Sequence, residues 1–358
     1  MTKDFFNHDD MSAYDAQFEA QKIAYAPIIF QAARVMREQG LLELLYAHRK
    51  TGIKLEEIVQ LSHLSEYGIK VLLETGLSAN IVGLTEGNYF LSKIGFYLLK
   101  DEMTNINMDY NHYVNYEALY HLDESINQGK PIGLKKFGDW QTIYPGLTAL
   151  PEKVRDSWFK FDHYYSDSAY YDVLKIVQQH KVNSILDIGG NTGKFSLYMA
   201  QNSETINLTI VDLPEQIAVA AKNISAQGFE DRIKTHCANV MDDNLQLPTG
   251  LDIIWMSQFL DCFSEQDIIS ILKKISQFMS KETELWIMEP LWDRQRHKTS
   301  AYCIINTSPY FTCMANGQSK MFYSDDLIKC IKKAGLEVVE IIDDLGVCQS
   351  ILRCQPLA

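Results

Sequence analysis

The stretch Ser184–Ser196, SILDIGGNTGKFS, decides the fold, and the apolar run LTIVDLP at 208–214 completes its meaning. Ile185, Leu186 and Ile188 form a short aliphatic, β-branched run of the kind that makes a strand. Gly189-Gly190-Asn191-Thr192-Gly193 follows as a turn whose backbone can approach a ligand closely, since three of its positions lack a Cβ. Helix formers continue from Lys194 to Ala200, and Asp212 ends the next strand twenty-five positions after Asp187. Strand, glycine turn, helix and acid-tipped strand make one half of a nucleotide-type site.

Spacing separates the ligands that such a turn serves. A phosphate-cradling loop needs GxxxxGK[ST], but Ile188 stands where its first glycine belongs and Phe195 where its metal-binding hydroxyl belongs. The dinucleotide fingerprint GxGxxG also fails, because the glycines fall only at 189, 190 and 193. A GxNxG turn with acids at both strand ends suits S-adenosylmethionine, which has no phosphate to anchor. Its amino group and ribose hydroxyls want acceptors, which Asp187 and Asp212 supply.

The chain has 358 residues, 46% of them hydrophobic, enough for two moderate cores in a globular protein. A formal charge of -13 repels nucleic acid and anionic membrane surfaces, so neither is an expected partner. All seven cysteines lie beyond position 236 with no CxxC pair, which points to reduced thiols in a cytosol and to no metal. The start, MTKDFFNHDD, has neither the basic nor the apolar region of a secretion signal, and no apolar run reaches membrane-spanning length. A cytoplasmic location is expected.

Ile28, Ile29, Ala32, Ala33, Met36 and Leu41 recur at helical spacing, Leu55–Val59 opens a short helix, and Ser65 caps another through Leu77. Residues 81–91, IVGLTEGNYFL, then read as two extended segments around a Glu-Gly-Asn turn. Three helices and a hairpin make a winged-helix pattern. The helix that would enter a DNA groove carries Glu66 and Glu74 against Lys70 alone, so a packing or dimerisation role fits better than DNA binding. Residues 101–155 read as an aromatic connector with helices. Beyond Val154 strands are expected at 233–238, 252–256, 285–288 and 338–342, with helices at 170–180, 265–278 and 324–334. That alternation predicts a mainly parallel, doubly wound sheet with ligands at the strand C-termini.

In this order the motifs are familiar. Over nearly its whole length the chain resembles the dimeric small-molecule O-methyltransferases of the plant caffeate and hydroxyindole O-methyltransferase type. LDIGGNTG at 186–193 is similar to their LDVGGGTG, VDLPEQ at 211–216 to their ribose-binding segment, and FDHYY at 161–165 to their F-N-x-x-M segment. Ala238-Asn239-Val240-Met241 resembles their G-D-M-F near the adenine, with Asn239 in place of the acid. The resemblance implies a winged-helix dimerisation domain over 1–153 and a Rossmann-like α/β methyltransferase domain over 154–358. It also implies a homodimer that takes a small-molecule acceptor.

As cofactor contacts it implies Asp187, Gly189, Gly190, Asn191, Gly193, Asp212, Leu213, Asn239, Val240, Ser257, Gln258 and Tyr165. The family motif I-L-H-D-W-S-D-E falls on Phe259–Gln266, which puts Asp261 where the base histidine stands, and Glu289 falls on a flanking glutamate. Asp261 is thus the expected base, although an acid just before a helix at Glu265 also fits a cap. His163 and His112 are substitute bases, and Trp255, Met256, Gln258, Phe259, Met314 and Tyr323 are expected to line the acceptor pocket. The expected activity is methyl transfer to a hydroxyl of a small aromatic acceptor. The missing histidine keeps open a relative that methylates carbon or no longer methylates, and the winged helix keeps open a metabolite-sensing regulator.

Overall fold

Local sequence signals set most element boundaries in the computed structural model, which describes residues 5–6 and 9–357. Residues 1–4, 7 and 8 of the polar start lie outside it. The chain divides into two compact units, one spanning Phe6–His112 and the other running from Tyr113 onward.

In the first unit, Ser12 accepts from the Asp15 amide (3.2 Å) and opens α1 (Ala13–Glu38). There follow α2 (Leu41–Ala47), β1 (Ile53–Lys54), α3 (Leu55–Leu61), α4 (Glu66–Ser78), β2 (Val82–Thr85), β3 (Asn88–Leu91), α5 (Lys93–Lys100) and α6 (Glu102–Tyr110). Ser65 caps α4 by accepting from the Gly68 amide at 3.1 Å, as the sequence predicts. Glu86 and Gly87 both take positive φ (51° and 78°), the twist that joins β2 and β3 as a hairpin. β1 adds a third strand against β3, too short for its residue pattern to announce. Met36, Leu42, Leu45, Ile58, Ile69 and Leu73 close the core of this mainly helical unit.

The second unit begins with the aromatic connector, including α7 (Leu122–Gln128), and continues through α8 (Glu152–Asp167) and α9 (Tyr170–Gln179). Its sheet is built from β4 (Ser184–Ile188), β5 (Asn207–Asp212), β6 (Ile233–Cys237), β7 (Ile253–Ser257), β8 (Glu284–Glu289), β9 (Leu336–Leu345) and β10 (Gln349–Pro356). Between them run α10 (Lys194–Asn202), α11 (Pro214–Gln227), α12 (Glu265–Ser276), α13 (Lys298–Tyr310) and α14 (Ser324–Lys333). The strand order is β6-β5-β4-β7-β8-β10-β9, parallel from β6 to β8, with β10 antiparallel to both neighbours.

Two elements escape the residue pattern. β10 carries Arg353 and Pro356 and is absent from the expected strands, yet Arg353 is held by Glu284 (2.8 Å) on β8. α13 contains Pro309 and lacks a clean apolar stripe. Each sheet face has its own core. Leu186, Ile254, Leu285 and Leu352 pack under α12 and α14, while Ile185, Ile210, Trp255 and Ile351 pack under α9–α11. Asp252 accepts from the Asn183 and Ser184 amides (2.7 and 2.9 Å), which ties the entry of β7 to that of β4. The strand order reverses between β4 and β7, so the crevice for a ligand opens above the ends of these two strands.

Candidate active site

The floor of the crevice is the turn after β4. Gly189 and Gly193 take φ of +76° and +80°, and Asn191 shares the left-handed region at +49°. The fold has no room for more at these glycines. A Cβ on Gly189 would sit 2.3 Å from the Phe259 ring, and one on Gly190 would sit 2.8 Å from Asp187 Oδ2. Asp187 is buried and accepts from Ser196 Oγ at 2.7 Å. Burial, reinforced by Asp212, pushes its carboxyl up to about 7 against the single opposing hydrogen bond.

Asp212 closes the turn from the neighbouring strand. Its two oxygens accept from the Asn191 and Leu213 amides (2.8 and 2.7 Å), each keeping a lone pair for a further donor. Burial still raises its pKa. Leu213 is exposed beside it. Asn239 is half-buried, and its side-chain oxygen already accepts from the Met241 amide (3.0 Å) while its amide donates to Asp242 (3.2 Å). Val240 behind it is buried.

The opposite wall is the segment after β7. Ser257 ends the strand, and Gln258 takes a left-handed φ of +45° as its amide donates to the Met288 carbonyl (2.9 Å). Its side-chain oxygen accepts from Gln349 Nε2 (3.2 Å), which also bonds the Tyr165 carbonyl (3.3 Å). This local strain turns the chain back, so that Phe259 covers Gly189 and a single helical turn, Leu260–Cys262, carries Asp261.

Asp261 is 3% exposed, and its Oδ1 accepts only the weak thiol donor of Cys262 (3.4 Å). Burial first, and Asp162 second, push its carboxyl up to about 7. Capping of α12 falls to Ser264, which accepts from the Asp267 amide (3.2 Å). Glu289, fully buried at the end of β8, accepts through Oε1 from the Phe259 and Leu260 amides (3.1 and 2.9 Å). Its Oε2 has no hydrogen-bond partner, and burial raises its pKa well above the carboxylate range.

The residues flanking Asp261 were not singled out by sequence reasoning. Trp158 on α8 donates to the Tyr310 hydroxyl (2.6 Å), and Asn316 donates to the Cys262 carbonyl (2.6 Å). Tyr144, in the connector, buries its hydroxyl beside the Cys262 thiol outside hydrogen-bonding geometry. Two expectations of pocket lining are corrected. Trp255 is core, stacked on Phe195 (4.9 Å between centroids), and Met256 is core on the other sheet face, because the interior of β7 is covered on both sides. Tyr323 packs on Trp292 (5.1 Å) and lines a groove of about 370 Å³. His163 sits 3.7 Å from Asp167, and His112 belongs to the first unit, against Gln31 (3.4 Å). Among the described residues no His, Cys, Asp and Glu cluster could hold a metal, and no helix is long and apolar enough to cross a membrane.

Residues 146–337 match the family model described as an O-methyltransferase domain. The chain belongs to that family. Residues 17–90 match a second model, the Dimerisation2-like domain. The methyltransferase is 23% identical over 256 residues to the L-tyrosine C(3)-methyltransferase of Streptomyces lavendulae, covering 70% of this chain and 69% of that one. Its fold is similar to that of the S-adenosylmethionine-dependent methyltransferase SibL (TM-score 0.71, 20% identity, 94% and 98% of the two chains). It is also similar to the O-methyltransferase NcsB1 from neocarzinostatin biosynthesis, solved with S-adenosylmethionine and 2-hydroxy-5-methyl naphthoic acid (TM-score 0.63, 16% identity, 93% and 96%).

The methyl donor is therefore S-adenosylmethionine, and the crevice fits it. Glycines that admit no Cβ line one side, and the residual lone pairs of Asp187 and Asp212 wait on the other. Asp187, Asp212, the 189–193 turn and Ser257–Gln258 are the groups that would hold it, with Asn239 offering the capacity that Met241 leaves.

Two outcomes test this site. Gly189→Ala forces a methyl into the Phe259 ring from a left-handed backbone, and calorimetry with S-adenosylhomocysteine should show affinity falling about tenfold or more. Asp187 is ionised above about 4 in the unfolded chain but held neutral to about 7 in the fold, so the stability it lends is intact in acid and is lost as pH rises between those values. Asp187→Asn should therefore raise the ligand-free melting temperature at pH 8 by roughly a few degrees while weakening donor binding. A lowered melting temperature would contradict this.

Proposed function

We propose that this methyltransferase passes the methyl group of S-adenosylmethionine to the hydroxyl oxygen of a small aromatic acceptor, and that Asp261 takes the hydroxyl proton. The observation that carries this reading is the buried carboxyl of Asp261, whose one side-chain hydrogen bond among the described residues is to the Cys262 thiol and which burial raises to about 7. An acid at its ordinary value near 4 is a poor base at neutral pH, and burial brings Asp261 to where ionisation and proton affinity are balanced. Glu289, whose carboxyl burial also raises well above the ordinary range, grips the loop backbone through the Phe259 and Leu260 amides and so holds Asp261 in place.

Bound donor supplies a methyl on a positively charged sulfur. The protein contributes alignment and exclusion of water, through Phe259 over the turn and the aromatic flank of Trp158, Tyr310 and Tyr144. The O-methyltransferase family and the naphthoic acid held by NcsB1 support an aromatic hydroxyl as acceptor.

A second reading rests on the tyrosine C(3)-methylating relative together with the aspartate in the base position. Deprotonation of a phenol by the same Asp261 also enriches its ortho carbon, and the methyl then goes to carbon with loss of the ring proton.

We further propose a homodimer. α1 leaves Phe18, Tyr25 and Ile28 exposed at helical spacing within the segment that matches the dimerisation domain, with Tyr14 exposed just before it, and a second copy is their fitting cover. Seven free cysteines suit a cytosolic enzyme.

With a panel of phenols, the wild-type rate should climb with pH through about 7 and level above it, since Asp261 must be ionised. Asp261→Asn should cut kcat by roughly 100-fold or more and abolish that limb, with S-adenosylhomocysteine affinity held within about twofold. Retention of wild-type turnover would remove Asp261 from the chemistry, and NMR of the product decides between oxygen and carbon. Light scattering of the double variant Phe18→Asp, Ile28→Asp should give half the wild-type mass, whereas an unchanged mass would place the interface elsewhere.

A further inference from the structure

One carboxylate beside the crevice has no assigned task. Asp162 lies on α8 at helical spacing from Trp158 and Tyr165, four residues after one and three before the other. Trp158 binds Tyr310 on the acceptor side, and the Tyr165 carbonyl binds Gln349, which also holds Gln258 at the end of β7. Asp162 is therefore held between the side that carries Asp261 and the side that carries the glycine turn.

Its neighbour Asp167, on another face of α8, is fully compensated. Lys194 at the start of α10 pairs with it, and His163 Nδ1 stands 3.7 Å away. Asp162 has neither a hydrogen bond nor an ion pair among the described residues, and His163 and Lys194 act on it only from a distance. Asp162 is partly exposed, so water compensates its carboxylate until a ligand displaces that water and leaves it in want of a cation.

We propose that Asp162 is the counter-charge of the donor's sulfonium, through which the enzyme holds S-adenosylmethionine in preference to neutral S-adenosylhomocysteine and lets the product go. This rests on the donor lying over the 189–193 turn. The amino group and ribose that Asp187 and Asp212 would hold are common to donor and product, so those hydrogen bonds by themselves do not separate the two.

Calorimetry separates the possibilities without turnover. Wild-type protein should bind S-adenosylmethionine about tenfold tighter than S-adenosylhomocysteine. Asp162→Asn should erase that ratio by weakening the donor alone, and Asp162→Glu should keep part of it. An unchanged ratio in Asp162→Asn, or equal weakening of both ligands, overturns the proposal. Wild-type protein that binds neither ligand overturns the donor site itself.

A second measurement needs no variant. Burial raises the Asp162 carboxyl to about 6, so the wild-type ratio should shrink as pH falls from 7.5 to about 5. The groups facing Asp162 are His163 and Asp167 on its own helix, Lys194 on α10, Tyr170 on α9, Tyr310 on α13 and Asp261 after β7. A ratio that stays constant to pH 5 also overturns the proposal.

Discussion

Glu289 makes the hydrogen bonds on which the site depends. Its carboxyl, fully buried at the end of β8, receives the amides of Phe259 and Leu260 and so fixes the path of the chain as it leaves β7. That path lays Phe259 over Gly189 and turns Asp261 inward. A backbone segment leaving a parallel strand has amides that must find acceptors, and an apolar residue at 289 would leave two of them buried and unsatisfied. One side chain on a neighbouring strand thus sets both the roof of the donor crevice and the position of the base.

Burial is the second recurring theme. Asp187, Asp212, Asp261, Glu289 and Asp162 are all raised, and loss of water is the largest cause in every case. The consequences differ with the partners. Among the described residues Asp187 has a serine, Asp212 has two backbone amides, Glu289 has the loop, Asp261 has a thiol, and Asp162 has no hydrogen-bond partner. Weakly partnered carboxyls are the ones left available to a reacting proton or an incoming cation.

Much of this was legible in the sequence because it is local. The strand-turn-helix at 184–200, the Ser65 cap and the hairpin turn at Glu86-Gly87 are each fixed by residues a few positions apart, and each stands where the pattern puts it. β10 was not legible, because Arg353 becomes acceptable in a central strand only when Glu284 lies opposite, a pairing 69 positions away in the chain. For the same reason Trp255 and Met256 looked like pocket residues, and only the helices on both faces of β7 show them to be core. The role of Asp162 had a local signal, an acid where the resembling segment carries asparagine, but its lack of a partner is visible only when α8 is set against Lys194 and Asp167.

The central claim is that burial, reinforced by Asp162, turns an aspartate into a base suited to neutral pH. Carbon-13 NMR titration of protein labelled at the aspartate carboxyls, with the Asp261 resonance assigned by its loss in Asp261→Asn, measures this directly. A midpoint near 7 is the expected result. A midpoint near the ordinary value of about 4 would contradict it, because Asp261 would then be a solvated surface acid with little appetite for a phenolic proton.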